Sequence, residues 1–205
     1  MFAIWGIWRS KNLTIFANDR ISIFLISSKF LRACQEFHSI HIEKALRIIN
    51  FPSILSDVLD ELFDGASNLG LSGCGISLIY NARKIYHIWM GCDEVMDTIG
   101  ELLALWILLK FVFIMGIDSS YILGDSRVIV DWFNGASDLQ IAILKHWKFR
   151  IQELQPRMQY ISCRHIFHQL NSIVDALSKK EIGLNEGVLF YEEYMDGRVL
   201  SKCAY

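Results

Sequence analysis

Proline is scarce in this chain, two residues in 205, and charged residues make up only 20%. With 53% hydrophobic residues, that composition excludes a disordered tail, a collagen and a low-complexity linker, because enough apolar surface is available to build a core. The length suggests one domain, or one domain with an appendage. A long uninterrupted apolar run is also missing. The mean hydropathy of +0.31 raises the question of membrane insertion. Yet the longest apolar stretch, Leu102–Ile117, is 16 residues with Lys110 inside it. A spanning helix needs roughly 18 or more apolar residues, so this stretch reads as a buried core helix and no membrane partner is expected. No internal repeat and no basic run of the nuclear-import type occurs.

Paired cysteines are absent too. Cys34, Cys74, Cys92, Cys163 and Cys203 are odd in number, widely spaced and without a C-x-x-C pair. A zinc ribbon and a thioredoxin-like site are therefore unsupported. The cysteines read as reduced apolar fillers in a reducing compartment. The N-terminal stretch 1–12 carries its charge after its apolar residues, the reverse of a secretory signal. The expected location is intracellular, nuclear or cytoplasmic, and not secreted.

The net charge of −2 conceals a division. Residues 1–50 hold seven Lys/Arg and three Asp/Glu, a balance of +4. Residues 51–205 hold thirteen and nineteen, a balance of −6. The larger part does not advertise a general nucleic-acid surface. Its acidic excess can instead mean clustered carboxylates awaiting cations.

Along the chain, apolar residues recur at helical intervals through Ile15–Leu31 and Ile40–Ile49, until Pro52 and Ser53 break the pattern. Three antiparallel strands follow: Val58–Phe63, Cys74–Tyr80 and Lys84–Met90. Residues 68–73 read as a turn-rich loop between the first two. Asn81-Ala82-Arg83 reads as the hairpin turn between the second and third. Thr98 opens a helix to about Met115, with Glu101 at the capping-box position and Gly116 as its stop. Then come a strand at Tyr121–Gly124 and helices at Arg127–Phe133 and Leu139–Leu154. A strand at Gln159–His165 and a helix at Ser172–Lys180 end the series. The pattern implies an α/β fold with a mixed five-stranded sheet and helices on both faces. The expected organisation is a helical N-terminal extension at 1–52, a central domain at 53–182 and a tail at 183–205 with no assigned role.

Four acidic residues stand where strands and helices meet: Asp64, Glu101, Asp125 and Asp175. Each alone is explained by a cap or a solvated helix face. Their order carries more. Asp64-Gly65-Ala66-Ser67 follows a strand, and Glu101-Leu102-Leu103-Ala104-Leu105 opens a helix. Gly124-Asp125-Ser126 follows another strand, and Asn171 precedes Asp175-Ala176-Leu177-Ser178 by four residues. Separated by 37, 24 and 50 residues, these motifs resemble the ribonuclease H domain over about residues 57–182. The closest match is to its plant, reverse-transcriptase-like version from non-LTR retrotransposons.

The resemblance implies a ribonuclease H-like fold and metal-dependent cleavage of the RNA strand of an RNA–DNA hybrid. It implies that Asp64, Glu101, Asp125 and Asp175 are catalytic and hold two Mg2+ ions, with Mn2+ as a substitute. Magnesium prefers oxygen ligands, and a metal pair suits in-line phosphoryl displacement. Without metal the four carboxylates would repel one another and raise some of their pKa values. They are expected to converge on one spot. His165, ten residues before Asp175, matches the position of a loop histidine that assists proton transfer or product release. His168 is the second candidate. Asn68 and Asn171 are the candidate substrate contacts, and Asn171 is also placed to support Asp175 on a shared helix face.

The chain departs from the family pattern at Leu69 and Leu71, where prolines are usual, and at Gly100, where alanine is usual. It lacks a basic protrusion. The nearest substitute is Lys145, His146, Lys148, Arg150, Arg157 and Arg164, interleaved with Trp147 and Phe149. The first 50 residues, through Trp5–Asn12 and Ile15-Phe16, resemble the linker before the ribonuclease H domain of retroelement proteins. The chain is therefore expected to be a truncated or domesticated fragment whose N-terminal segment has lost a polymerase domain as its packing partner. The enzyme is expected to act as a monomer on an RNA–DNA hybrid. The alternative is an inactive fold remnant that serves as a nucleic-acid-binding or protein-interaction module.

Overall fold

A computed structural model of the chain describes residues 59–68, 71–80, 83–92, 97–117, 119–140, 144–180 and 188–204. The helices read in residues 1–50, the boundary at Pro52, and Leu69, Gly70, Asn81 and Ala82 lie outside the described residues.

The described elements are β1 (Leu59–Asn68), β2 (Leu71–Ile79), β3 (Lys84–Cys92), α1 (Asp97–Ile114), β4 (Ser119–Gly124), α2 (Arg127–Phe133), α3 (Lys145–Leu154), β5 (Tyr160–His165), α4 (Ser172–Lys179), β6 (Leu189–Met195) and β7 (Arg198–Ala204). They build one mixed sheet in the order β5-β4-β1-β2-β3-β6-β7. β1 runs parallel to β4, and β4 to β5, while all the other neighbours are antiparallel.

Strand alternation sends successive side chains to opposite faces. Phe63, Ile76, Ile88 and Tyr191 form one buried cross-strand row. Phe111 of α1 packs on this face, 6.3 Å from the ring of Tyr191. On the other face, Leu62 and Trp89 pack with Val174 and Leu177 of α4. Helices therefore cover both faces. α1 is apolar all round because it is also covered by α3, where Trp147 meets Trp106 with ring centroids 5.3 Å apart. Lys110 keeps its ammonium 5.9 Å from the Trp106 ring centroid. Gly116, at φ +69°, ends the helix as the sequence implies. No described helix is long and apolar enough to cross a membrane.

Three readings need correction. The sheet has seven strands, not five, because the tail supplies β6 and β7. Their two-residue turn, Asp196-Gly197, has φ of 50° and 73°, the left-handed geometry a tight hairpin demands. Asp196 receives two 2.7 Å bonds from the Arg83 guanidinium, which tie the turn to the start of β3.

Second, β1 does not stop at Asp64 but continues to Asn68, and β2 begins at Leu71. Gly65 looks like a turn residue in sequence, whereas Gly75 already falls within the strand expected at Cys74–Tyr80. In the structure they are strand residues where a helix touches the strand. A Cβ on Gly65 would lie 2.2 Å from the Glu101 amide nitrogen, and one on Gly75 would lie 2.4 Å from the Val174 carbonyl oxygen.

Third, α3 begins at Lys145, not Leu139. Leu139 is buried outside the helix, and Lys148 donates to its carbonyl and to Asp138.

Candidate active site

Asp64, Glu101, Asp125 and Asp175 line one cavity of about 310 Å³, together with Gly65, Ala66 and His168. Four elements bring them there. Asp64 lies in β1 opposite Gly75, and the bare glycine lets α4 approach. Glu101 sits in the first turns of α1 because Gly65 admits that helix to the strand. Asp125 follows β4, whose register against β1 sets Leu123 beside Leu62. Asp175 is in the first turn of α4.

Each carboxylate has a partner of its own. Ser126 Oγ donates to Glu101 Oε2 at 2.7 Å. Ser178 Oγ donates to Asp64 Oδ2 at 3.3 Å. Asn171 Nδ2 donates to Asp125 Oδ1 at 3.0 Å, and His168 Nδ1 meets Asp125 Oδ2 at 2.6 Å. Lys179 Nζ pairs with Asp175 Oδ1 at 2.6 Å.

The electrostatics are those of crowded like charges. Burial pushes the Asp64 carboxyl up to about 7, and the negative charges of Asp125, Asp175 and Glu101 push in the same direction. The His168 ring is raised by its bond to Asp125, then by the charges of Asp125, Asp175 and Asp64. The donor chemistry fits hard divalent cations: four carboxylates face one polar cavity, and the most buried of them resists ionisation for lack of a counter-charge. The expected convergence is looser than anticipated. Among the described residues, no three acidic, histidine or cysteine side chains stand close enough to share an ion as they are.

The other candidates divide. His168 lines the cavity, whereas His165 is exposed at its edge, with Nε2 3.1 Å from the Asp125 carbonyl oxygen. Asn171 is fully buried, so it is a support and not a substrate contact. It ties Asp125 to the Phe63 carbonyl at 3.1 Å, and its side chain serves Asp125 rather than Asp175. The Asn68 side chain lies outside the described residues. The basic set does not form one patch. Lys148 is bound to Asp138, Arg150 lies 5.7 Å from the Trp106 ring centroid, Arg157 lies 5.9 Å from that of Phe113, and Trp147 is buried. The sequence reading left out Ser126 and Ser178 as anchors. Ser126 follows Asp125 directly and Ser178 lies three residues after Asp175, a recurring small hydroxyl beside an acid that was there to be noticed.

A sequence model of the reverse transcriptase-like family matches residues 63–181, more than half of the chain and all four acidic motifs. The chain belongs to the reverse transcriptase-like family. Solved ribonuclease H structures superpose on this reverse transcriptase-like domain. Ribonuclease H1 from the archaeon Halobacterium salinarum gives a TM-score of 0.57 at 24% identity, over 60% of this chain and 96% of its own. The N-terminal ribonuclease H domain of a Mycobacterium tuberculosis protein gives 0.56 at 17%, over 61% and 93%. LC11 ribonuclease H1, solved with an RNA/DNA hybrid, gives 0.55 at 18%, over 60% and 94%. At these identities the likeness establishes the ribonuclease H-like fold of the reverse transcriptase-like domain. No curated protein matches the chain.

Proposed function

We propose that this chain is a divalent-metal-dependent endoribonuclease that cuts the RNA strand of RNA–DNA hybrids. The observation that carries the reading is the gathering of Asp64, Glu101, Asp125, Asp175 and His168 around one open cavity of a ribonuclease H-like fold. Hybrid as substrate is suggested by the similar LC11 enzyme, solved with an RNA/DNA hybrid. The proposal extends to an intracellular, monomeric enzyme of plant retroelement origin.

Asp64, Glu101, Asp125 and Asp175 would hold two magnesium ions, or manganese in their place. Such ions supply Lewis acidity at the scissile phosphate and lower the pKa of water. The remaining chemistry belongs to the protein. Asn171 fixes Asp125 against β1. Ser126 and Ser178 each hold one oxygen, of Glu101 and Asp64 respectively, and so orient the other. His168 lines the cavity and is bound through Nδ1 to Asp125, whose bond and charge raise its pKa above the ordinary imidazole value, so it is the group placed to move a proton there. Metal binding would have to compete with Lys179 for Asp175 and with His168 for Asp125.

That competition also favours the second reading, an inactive module that binds nucleic acid or protein, because Asp125 and Asp175 already have His168 and Lys179 as partners. Cleavage of a labelled hybrid in magnesium decides between them. Wild type should cut, and Asp64→Asn should lose about 100-fold or more, the scale on which single charge-stabilising groups act. Equal rates for the two would leave only the inactive module.

A further inference from the structure

Four carboxylates line the cavity, yet among the described residues no three acidic, histidine or cysteine side chains stand close enough to share an ion as they are. A side chain must therefore move before three of them can do so. The carboxylates differ in what holds them. Asp64 and Glu101 receive bonds from the neutral hydroxyls of Ser178 and Ser126. Asp175 instead has an ammonium across it. Lys179 Nζ lies 2.6 Å from Oδ1 and 2.8 Å from Oδ2, so one cation bridges both oxygens.

The helix puts that cation there. Lys179 follows Asp175 by one turn of α4, and an acid four residues before a lysine is the favourable order. The backbone is fixed at this point. The Asp175 amide donates to the Asn171 carbonyl at 3.0 Å, and Ser178 Oγ donates to the Asp175 carbonyl at 2.9 Å. The two partners are unequally exposed: the Asp175 side chain is 21% exposed, that of Lys179 56%. A pair with one end in water is held by little free energy, so the lysine can leave at small cost.

Resting on the metal-dependent reading above, we propose that Lys179 is a displaceable counter-cation of Asp175, which a divalent ion must drive out to use that carboxylate. Both cations need the same two oxygens, and like charges at that distance repel. Of two ions in the cavity, the one bound through Asp175 is therefore the weaker, and its loading follows the free metal concentration. Lys180, the next residue, serves as the control. Its ammonium carries the same charge but stands 3.6 Å from the Trp89 ring centroid and 3.9 Å from Glu192 Oε2.

The test is calorimetric titration of the full chain with Mn2+, without nucleic acid. Lys179→Met keeps an unbranched side chain and a good helix former while removing the charge. It should bind Mn2+ about tenfold tighter than wild type, the scale of one unit charge acting through water on a divalent ion a few Å away. Lys179→Arg should bind no tighter than wild type, and Lys180→Met should stay close to wild type. Melting curves give a second readout. Without metal, Lys179→Met should melt below wild type, because the crowded carboxylates lose a counter-charge. Saturating Mn2+ should then raise its melting temperature by more than that of wild type. If wild type binds Mn2+ and Lys179→Met binds it no tighter, Lys179 is not the counter-cation and the metal-dependent reading stands. If Lys180→Met tightens binding as much as Lys179→Met, overall charge is the cause and the proposal is wrong. If neither wild type nor Lys179→Met binds Mn2+, the proposal and the metal-dependent reading fall together.

Discussion

Asp64 and Glu192 lie on one face of the same sheet, flanking the same helix, and are about equally hidden, 6% and 7% exposed. Their acidities move in opposite directions. Asp64 is raised to about 7 by burial and by three neighbouring carboxylates. Around Glu192, burial also pushes upward, but it is outweighed by bonds from Lys202 and Tyr194 and by the charges of Lys180 and Lys202, so the carboxyl ends below its ordinary value. Burial sets the stakes and the neighbours decide the sign. Glu192 is a finished structural group, while Asp64 is left with a deficit of positive charge in a cavity open to solvent. Only Asp64 falls within the residues that match the family; Glu192 belongs to the added hairpin.

The sharpest way to break this contrast is a pair of stability curves against pH. The Asp64 contribution is fully present below about pH 3.8, where folded and unfolded forms are both protonated, and it is lost as pH climbs to about 7. Wild type should lose a few kcal/mol relative to Asp64→Asn across that window, measured by thermal melts at successive pH values. Millimolar magnesium at pH 7 should return much of it, with a smaller effect on Asp64→Asn. If the two proteins show parallel pH curves, Asp64 does not carry the deficit described.

Next in size is Asn171→Ala. Loss of the bond that orients Asp125 should slow hybrid cleavage about 10- to 100-fold. The Phe63 carbonyl left behind should cost about 1–3 kcal/mol in urea denaturation. Glu192→Gln follows. Its contribution is present above about pH 4.5 and lost as pH falls, so its effect should fade in acid, opposite in slope to that of Asp64. Its lysine partners are about half exposed, so a loss of about 1 kcal/mol at neutral pH is expected, with cleavage unchanged. Smallest is Arg83→Ala, whose pair with Asp196 is open to water. A melting temperature indistinguishable from wild type is expected.

Much of the part that matches the family was legible because its signals are local. The apolar run around Leu102–Leu109 with a glycine stop described α1, and the order of the acidic motifs pointed to the cavity. The hairpin was equally legible and was missed. Leu189–Met195, Asp196-Gly197 and Arg198–Ala204 form a strand, a tight turn and a strand, the strongest short-range hairpin pattern there is. What sequence could not carry is contact across the fold. Gly65, in Asp64-Gly65-Ala66-Ser67, carries the local signature of a turn, and its close approach to α1 is visible only in the fold. His165 and His168 are both near Asp125 in the fold, and the 3-10 turn at His168–Leu170 decides which one faces the cavity.

Gly65 and Gly75 have a consequence beyond close packing. Gly65 admits the backbone of α1 from one side of the β1–β2 ribbon, and Gly75, opposite Asp64, admits the backbone of α4 from the other. The gap between Glu101 and Asp175 is thereby gauged by the thickness of main chain, a dimension that side-chain drift cannot alter. The core side chains that seat α4, Leu62 and Trp89 against Val174 and Leu177, work alongside this backbone contact and do not replace it. A single methyl group at either glycine would act as a shim. Two hydrogen atoms, one on each face of the ribbon, thus set the width of the cavity.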